Sequence, residues 1–246
     1  MQPLHPAPSL DAAGDRSYYL SRRGEIETYF DRTASDAWSR LTSDAPVSRI
    51  RATVRAGRDR MRSTLLGWLP ADLTGRWLLD AGCGTGALAV EAARRGAQVV
   101  AIDVAPTLIA LAQERSPKDL GAGSIQFLVG DMRDPALGTF DHVVAMDSLI
   151  HYGAADVVAL LAQVAARTNG SILFTYAPRT PALAVMHAVG RFFPRGDRAP
   201  AIEPVGAQRL QRLILDEPGF AAWRTGRTQR IARGFYTSQA LELVHQ

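Results

Sequence analysis

Leu78-Leu79-Asp80-Ala81-Gly82-Cys83-Gly84-Thr85-Gly86-Ala87-Leu88 is the stretch that decides the fold. A short apolar run, Trp77–Asp80, leads into glycines at 82, 84 and 86, and a helical pattern over 86–95 follows. Glycine lacks a Cβ, so such a backbone turns sharply and lets a ligand approach closely. A strand, a glycine turn and a helix in succession place a ligand at the carboxyl end of a strand in doubly wound sheets. Gly82, Gly84 and Ala87 also satisfy the dinucleotide spacing G-x-G-x-x-G/A. Asp80 argues against that reading, because its charge repels a pyrophosphate and attracts a cationic amino acid.

Outward from this turn, short apolar runs alternate with helical patterns. The runs are Trp77–Asp80, Gln98–Asp103, Ile125–Gly130, His142–Met146 and Ser171–Tyr176, with helices expected at 86–95, 106–115 and 154–168. That alternation predicts an α/β, Rossmann-like fold with right-handed crossovers. A helix near 205–216 precedes two runs, roughly 220–231 and 234–244, separated by Arg233-Gly234. These read as an antiparallel pair, giving a mostly parallel seven-stranded sheet with an antiparallel last strand. Residues 178–204, rich in Pro, Gly and Arg around an apolar patch, read as an insertion on the substrate side of the sheet. Apolar residues at helical spacing predict N-terminal accessory helices at 22–42 and 46–69, with Pro46 at a helix start. The organisation expected is a flexible terminus over 1–21, capping helices over 22–70 and a core over 71–246. The terminus is read as uncleaved, since it lacks the basic start and apolar block of a signal peptide.

The acids fall at strand ends. Asp103 closes Val99-Val100-Ala101-Ile102-Asp103, about 20 residues past the glycine turn, where a carboxylate accepts hydrogen bonds from a ribose diol. Gly130-Asp131-Met132 ends the third strand, and Asp147 follows the fourth. Each acid has a plainer reading as a cap or turn residue, which Asp favours.

Composition bounds the rest. The chain has 246 residues, enough for one large α/β domain, and 47% hydrophobic with 21% charged residues is ordinary for a globular enzyme. One cysteine, Cys83, excludes an internal disulfide and a cysteine zinc cage, so the cytoplasm is the default compartment. No apolar run approaches the ~18 residues of a membrane span. The net charge of +4 is carried almost wholly by arginine, Lys118 being the sole lysine. Most arginines read as solvated surface. The cluster from Arg49 to Arg62 suits carboxylate or phosphate recognition, with Arg49 and Arg51 as candidate substrate contacts. No aromatic-studded basic tail suggests nucleic acid.

The D-x-G-x-G-x-G spacing of Asp80, Gly82, Gly84 and Gly86 resembles the signature of class I S-adenosylmethionine-dependent methyltransferases. A narrower resemblance rests on Tyr29-Phe30-Asp31-Arg32-Thr33-Ala34, Trp38-Ser39-Arg40-Leu41-Thr42 and Val47–Arg58, together with Asp147-Ser148-Leu149-Ile150-His151-Tyr152. These are similar to the magnesium-protoporphyrin IX O-methyltransferase family of the bacteriochlorophyll pathway, from about residue 25 onward. The resemblance implies methyl transfer from S-adenosylmethionine to a propionate carboxylate of magnesium-protoporphyrin IX, yielding a monomethyl ester. It implies cofactor contacts from Cys83, Val104, Asp131 facing the adenine amino group, Met132 on the ring, and Asp147. It also implies catalytic parts for His151 and Tyr29, and no metal held by the protein, since the magnesium belongs to the substrate. The large subunit of magnesium chelatase and peripheral contact with the inner or photosynthetic membrane are implied partners. The competing classes are O- or C-methylation of a quinone or phenolic precursor, and a non-catalytic tetrapyrrole-binding subunit.

Overall fold

The computed structural model describes residues 10–33, 49–179 and 201–246. Its sheet is built from β1 (Trp77–Ala81), β2 (Gln98–Asp103), β3 (Ser124–Val129), β4 (Phe140–Ala145), β5 (Thr168–Tyr176), β6 (Trp223–Arg233) and β7 (Tyr236–His245). The spatial order is β3-β2-β1-β4-β5-β7-β6. β1 to β5 pair in parallel, and β7 is antiparallel to both β5 and β6. The Rossmann-like sheet expected from the alternation of runs is therefore present, with the order reversing between β1 and β4. Ligands of such sheets sit in the crevice where the order reverses, outside the carboxyl ends of the strands.

The described helices are α1 (Leu10–Thr28), α2 (Arg49–Trp68), α3 (Ala87–Arg94), α4 (Pro106–Arg115), α5 (Ala154–Ala165) and α6 (Ala207–Asp216). Side chains alternate across a strand, and here the alternation divides two cores. Leu79, Val100, Ile102, Val143 and Ala145 face the core that holds Val157, Leu161 and Leu210 of α5 and α6. Leu78, Val99, Ala101 and Val144 face the other, with Met61, Leu65 and Leu66 of α2 and Leu88 and Ala92 of α3. Central strands covered on both faces need the near-continuous apolar runs seen in the sequence. α2 lies close to the sheet because Gly57 has no side chain. A Cβ there would stand 2.5 Å from the Tyr236 ring.

The N-terminal boundary differs from the sequence expectation. α1 starts at Leu10, not near 22, so residues 10–21, expected to be flexible, are helical. The apolar pattern misses this because the helix is held by tertiary contacts. Tyr19 stacks on Tyr152 with centroids 5.2 Å apart, Arg133 lies over its ring at 3.4 Å, and its hydroxyl donates to Asp131 at 3.2 Å. Burial, and then the neighbouring Asp131 carboxylate, push the Tyr19 phenol up to about 12. α1 passes into a wider π-type turn, Tyr29–Thr33. The expected helical residues 34–42 and the Pro46 start lie outside the described residues, as do residues 180–200 of the expected insertion. Both described ends of that segment sit at the carboxyl edge of the sheet. Pro178 bridges Val205, and the Glu203 N–H donates to the Ile150 carbonyl at 2.8 Å.

Candidate active site

After β1 the chain folds back on β2: the N–H groups of Gly82 and Cys83 donate to the Ile102 carbonyl at 2.8 and 3.0 Å. This bend requires glycine. Gly82 has φ of 81°, and a Cβ on it would meet Ser148 at 2.3 Å; Gly86 has φ of 77°, and its Cβ would press on Phe127. The Ser148 hydroxyl in turn donates to the Ala81 carbonyl at 2.7 Å, locking the bend to the segment after β4. Asp103 ties the turn from the other side. Its carboxylate accepts the Gly84 N–H at 2.9 Å and the Ala105 N–H at 3.0 Å. Burial raises its pKa, opposed by those backbone donors.

The bend opens onto a cavity of about 540 Å³ lined by residues from every carboxyl-end loop of β1 to β4, a volume suited to a small-molecule site. Asp80 lies at its base, 2% exposed, and among the described residues its Oδ2 has no hydrogen-bond partner. A buried carboxylate oxygen without a partner is costly. Burial raises the Asp80 pKa to about 7, the Ala89 N–H working against the rise and Asp103 adding to it. A ligand ammonium satisfies this oxygen, while Asp103 suits a ribose diol. The donor set thus fits a nucleoside joined to a cationic amino acid, and the residues that would hold it are Asp80, Gly82, Cys83, Gly84, Asp103, Val104 and Met132, all in the cavity wall. A proton linkage follows. Asp80 must be ionised to take an ammonium, so below about pH 7 each binding event releases a proton from it. Cofactor affinity measured by calorimetry is expected to climb between pH 5.5 and 7, approaching tenfold per unit, and Asp80→Asn to flatten the profile. A wild-type profile that is already flat contradicts the linkage.

Two of the acids expected to meet the cofactor line the cavity and also carry protein hydrogen bonds. Asp131 borders the cavity, but its carboxylate is held by Arg133 at 2.8 Å through Nη2, by the Arg133 N–H at 2.9 Å, by Tyr19 and by Arg23 at 3.7 Å. A carboxylate offers about four lone-pair sites, so these donors compete with an adenine amino group. The Arg133 contacts and charge, with help from Arg23, hold the Asp131 pKa low against desolvation. Asp147 is a hub. It accepts from Arg58 Nη1 at 2.7 Å, Tyr236 Oη at 3.0 Å, Ser238 Oγ at 3.1 Å and Thr175 Oγ1 at 3.1 Å. Its backbone is left-handed at φ 55°, rare for a residue other than glycine and best tolerated by Asp or Asn.

The opposite wall comes from the accessory helices and the β6–β7 hairpin. Tyr29 and Phe30, edge to face at 5.1 Å, reach the cavity from the π-type turn. Phe30 meets the His151 ring edge-on at 6.1 Å. His151 is buried, and its Nδ1 lies 3.3 Å from the Ala201 carbonyl. A carbonyl only accepts, so Nδ1 carries the hydrogen and Nε2 is the acceptor of the neutral ring. Arg22 of α1 donates to the His151 carbonyl at 3.0 Å and to the Ala201 carbonyl at 2.8 Å, tying the first helix to this loop.

Arg49 and Arg51, the expected substrate contacts, are exposed and do not line the cavity. Arg55, Arg58 and Arg62 do. Spacing explains the correction. Positions 51, 55, 58 and 62 recur at i, i+4, i+7 and i+11, so they share one helix face, whereas Arg49 lies on the other side. Arg51 belongs to the stripe but sits in the first turn, past the cavity edge. Arg58 is fixed by Asp147, and Arg62 bonds Glu91 at 2.5 Å and Asp59 at 3.1 Å. Among the described residues, no group of three or more His, Cys, Asp or Glu side chains is placed to hold a metal ion.

Comparison with known proteins bears on the family. The family described as "Magnesium-protoporphyrin IX methyltransferase C-terminus" matches residues 145–245, and a general "Methyltransferase domain" matches residues 78–169. A magnesium-protoporphyrin O-methyltransferase of Rhodobacter capsulatus is 50% identical over 227 residues, covering 92% of this chain and 98% of the relative. The corresponding enzyme of a Synechocystis strain is 31% identical, covering 89% of this chain and 94% of its own length. A crystal structure of magnesium protoporphyrin IX methyltransferase from Synechocystis PCC 6803 with bound SAH superposes with a TM-score of 0.78. It is 27% identical and the match covers 90% of this chain and 98% of that one. With its strand order, its glycine bend and near full-length identity to these relatives, the chain belongs to the magnesium-protoporphyrin O-methyltransferase family.

Proposed function

We propose that this protein is a carboxyl O-methyltransferase that uses S-adenosylmethionine to convert a propionate of magnesium-protoporphyrin IX into its methyl ester. The observation that carries the reading is the buried Asp80 oxygen beneath the glycine bend, without a hydrogen-bond partner among the described residues, within a family whose relatives bear this activity. S-adenosylmethionine, which Asp80, the glycine bend and Asp103 would hold, would supply a methyl carbon bonded to a sulfonium sulfur, and that sulfur would leave as the thioether of S-adenosylhomocysteine when a carboxylate oxygen takes the methyl. A carboxyl of pKa ~4 is already an anion at neutral pH, so the protein has no need to ionise the acceptor. Its residues must instead align the acceptor and exclude water. Asp80, the glycine bend and Asp103 hold the nucleoside and amino acid ends. Tyr29 and Phe30 cover the reacting centre with aromatic surface, and the arginine face of α2 supplies charge for propionates. His151, with Nδ1–H committed to Ala201, borders the cavity and positions the acceptor, its ring able to hydrogen-bond a carboxylate when charged.

Ester formation on magnesium-protoporphyrin IX, measured beside metal-free porphyrin and a phenol, tests the assignment; turnover of the phenol alone overturns it. His151→Ala is expected to lower kcat by on the order of a hundredfold through loss of alignment with cofactor Kd within twofold. Wild-type turnover in that variant makes the histidine structural. No described helix is long and apolar enough to cross a membrane. The resemblance extends the proposal to delivery of substrate by the large subunit of magnesium chelatase and to contact with a membrane surface. Co-purification and vesicle flotation test these separately.

A further inference from the structure

Among the described residues, Phe235 is the exposed aromatic of the cavity. It lines the wall yet is 61% exposed, unlike the buried Tyr236 beside it. Residues 234 and 235 form the two-residue turn between β6 and β7, closed by the Arg233–Tyr236 pair. Gly234 has φ of 59° and Phe235 a negative one, the pattern of a type II′ hairpin with glycine first. Such a turn favours Asn, Asp or Ser at the second position, so turn chemistry gives no reason for phenylalanine there. Core packing gives none either, because the ring is absent from both cores.

The tip that carries the ring is rigidly placed. A Cβ on Gly234 would stand 2.5 Å from Thr53 Oγ1, so the turn abuts α2 beside Val54 and Arg55, which also line the cavity. The next residue, Tyr236, packs against Gly57 and donates its hydroxyl to Asp147. A large apolar ring fixed in a cavity wall and left open is a stacking platform for a flat partner. We propose that Phe235 is a specificity-determining residue whose ring stacks on the macrocycle of the acceptor, with Val54 extending the apolar face and the α2 arginines beside it meeting the acidic side chains. The proposal rests on the tetrapyrrole reading above and adds a residue for which neither the glycine motif nor the acid pattern has a use.

The test is a titration of magnesium-protoporphyrin IX, followed by its Soret band, against full-length protein saturated with S-adenosylhomocysteine, alongside steady-state kinetics. Phe235→Ala is expected to raise both Kd and KM for the porphyrin about tenfold. Its kcat and cofactor Kd should stay within twofold, and its melting temperature should hold because the ring is exposed. Phe235→Trp should restore affinity, and the new indole should be quenched by bound porphyrin, while Phe235→Leu should not recover it. Unchanged Kd in Phe235→Ala, or full recovery by leucine, overturns the proposal. A wild-type protein that binds the porphyrin but forms no ester overturns the assigned reaction instead, and the turnover-independent titration still decides Phe235.

Discussion

Asp147→Ala is expected to lower the melting temperature by on the order of 10 °C. The substitution removes the acceptor shared by Arg58, Tyr236, Ser238 and Thr175, all bonded to this one carboxylate. Its side chain is 5% exposed and that of Arg58 20%. Removing one member of a buried ion pair leaves its partner's charge uncompensated, a cost of about 3–5 kcal/mol. In a protein of this size each kcal/mol shifts the midpoint by roughly 2–4 °C. Alanine also suits the left-handed backbone poorly, which adds to the loss. Asp147→Asn keeps the shape, an acceptor and tolerance of positive φ, so its loss should be less than half as large. Thermal scans that place the alanine variant within 2 °C of wild type would show that the four donors find other partners.

Asp103→Ala is expected to weaken S-adenosylmethionine binding by on the order of a hundredfold, about 2.7 kcal/mol. Two effects combine. The ribose hydroxyls lose a charged acceptor, worth roughly 1.5–3 kcal/mol per hydrogen bond. The N–H groups of Gly84 and Ala105 lose theirs as well, so the glycine bend is no longer tied to the end of β2. Asp103→Asn retains an acceptor but no charge and should lose about tenfold. Calorimetry reads both, and wild-type affinity in Asp103→Ala takes this residue out of the cofactor site.

The parts legible in the sequence share a physical cause. Strands covered on both faces must be apolar throughout, so β2 was bounded by its own composition, and Pro106 marked the start of α4. Gly82 and Gly86 were legible because their φ values and the closeness of Ser148 and Phe127 exclude a side chain. What escaped depends on residues distant in the chain. Asp147 looks like a turn residue until Tyr236 and Ser238, some 90 positions on, are seen to donate to it. α1 is held to the domain by Tyr19 meeting Tyr152, a contact that no local apolar spacing shows. For Asp131 the sequence shows the acid at the strand end but not Arg23, Tyr19 and Arg133 gathered on its carboxylate at the cavity edge. The arginine cluster was visible, but the choice of Arg55, Arg58 and Arg62 over Arg49 and Arg51 required the helical register to be related to the cavity edge.

β7 follows β6 in the chain yet is seated between β5 and β6. While the polypeptide is still being made, β6 has no neighbour to pair with until residues 236–245 have left the ribosome. The wall that carries Tyr236 and Ser238, and with it the anchorage of Arg58, is therefore assembled only once β7 is available. Until then the part of α2 that packs on β6 and β7 lacks its partner, while Met61, Leu65 and Leu66 already have earlier strands to cover.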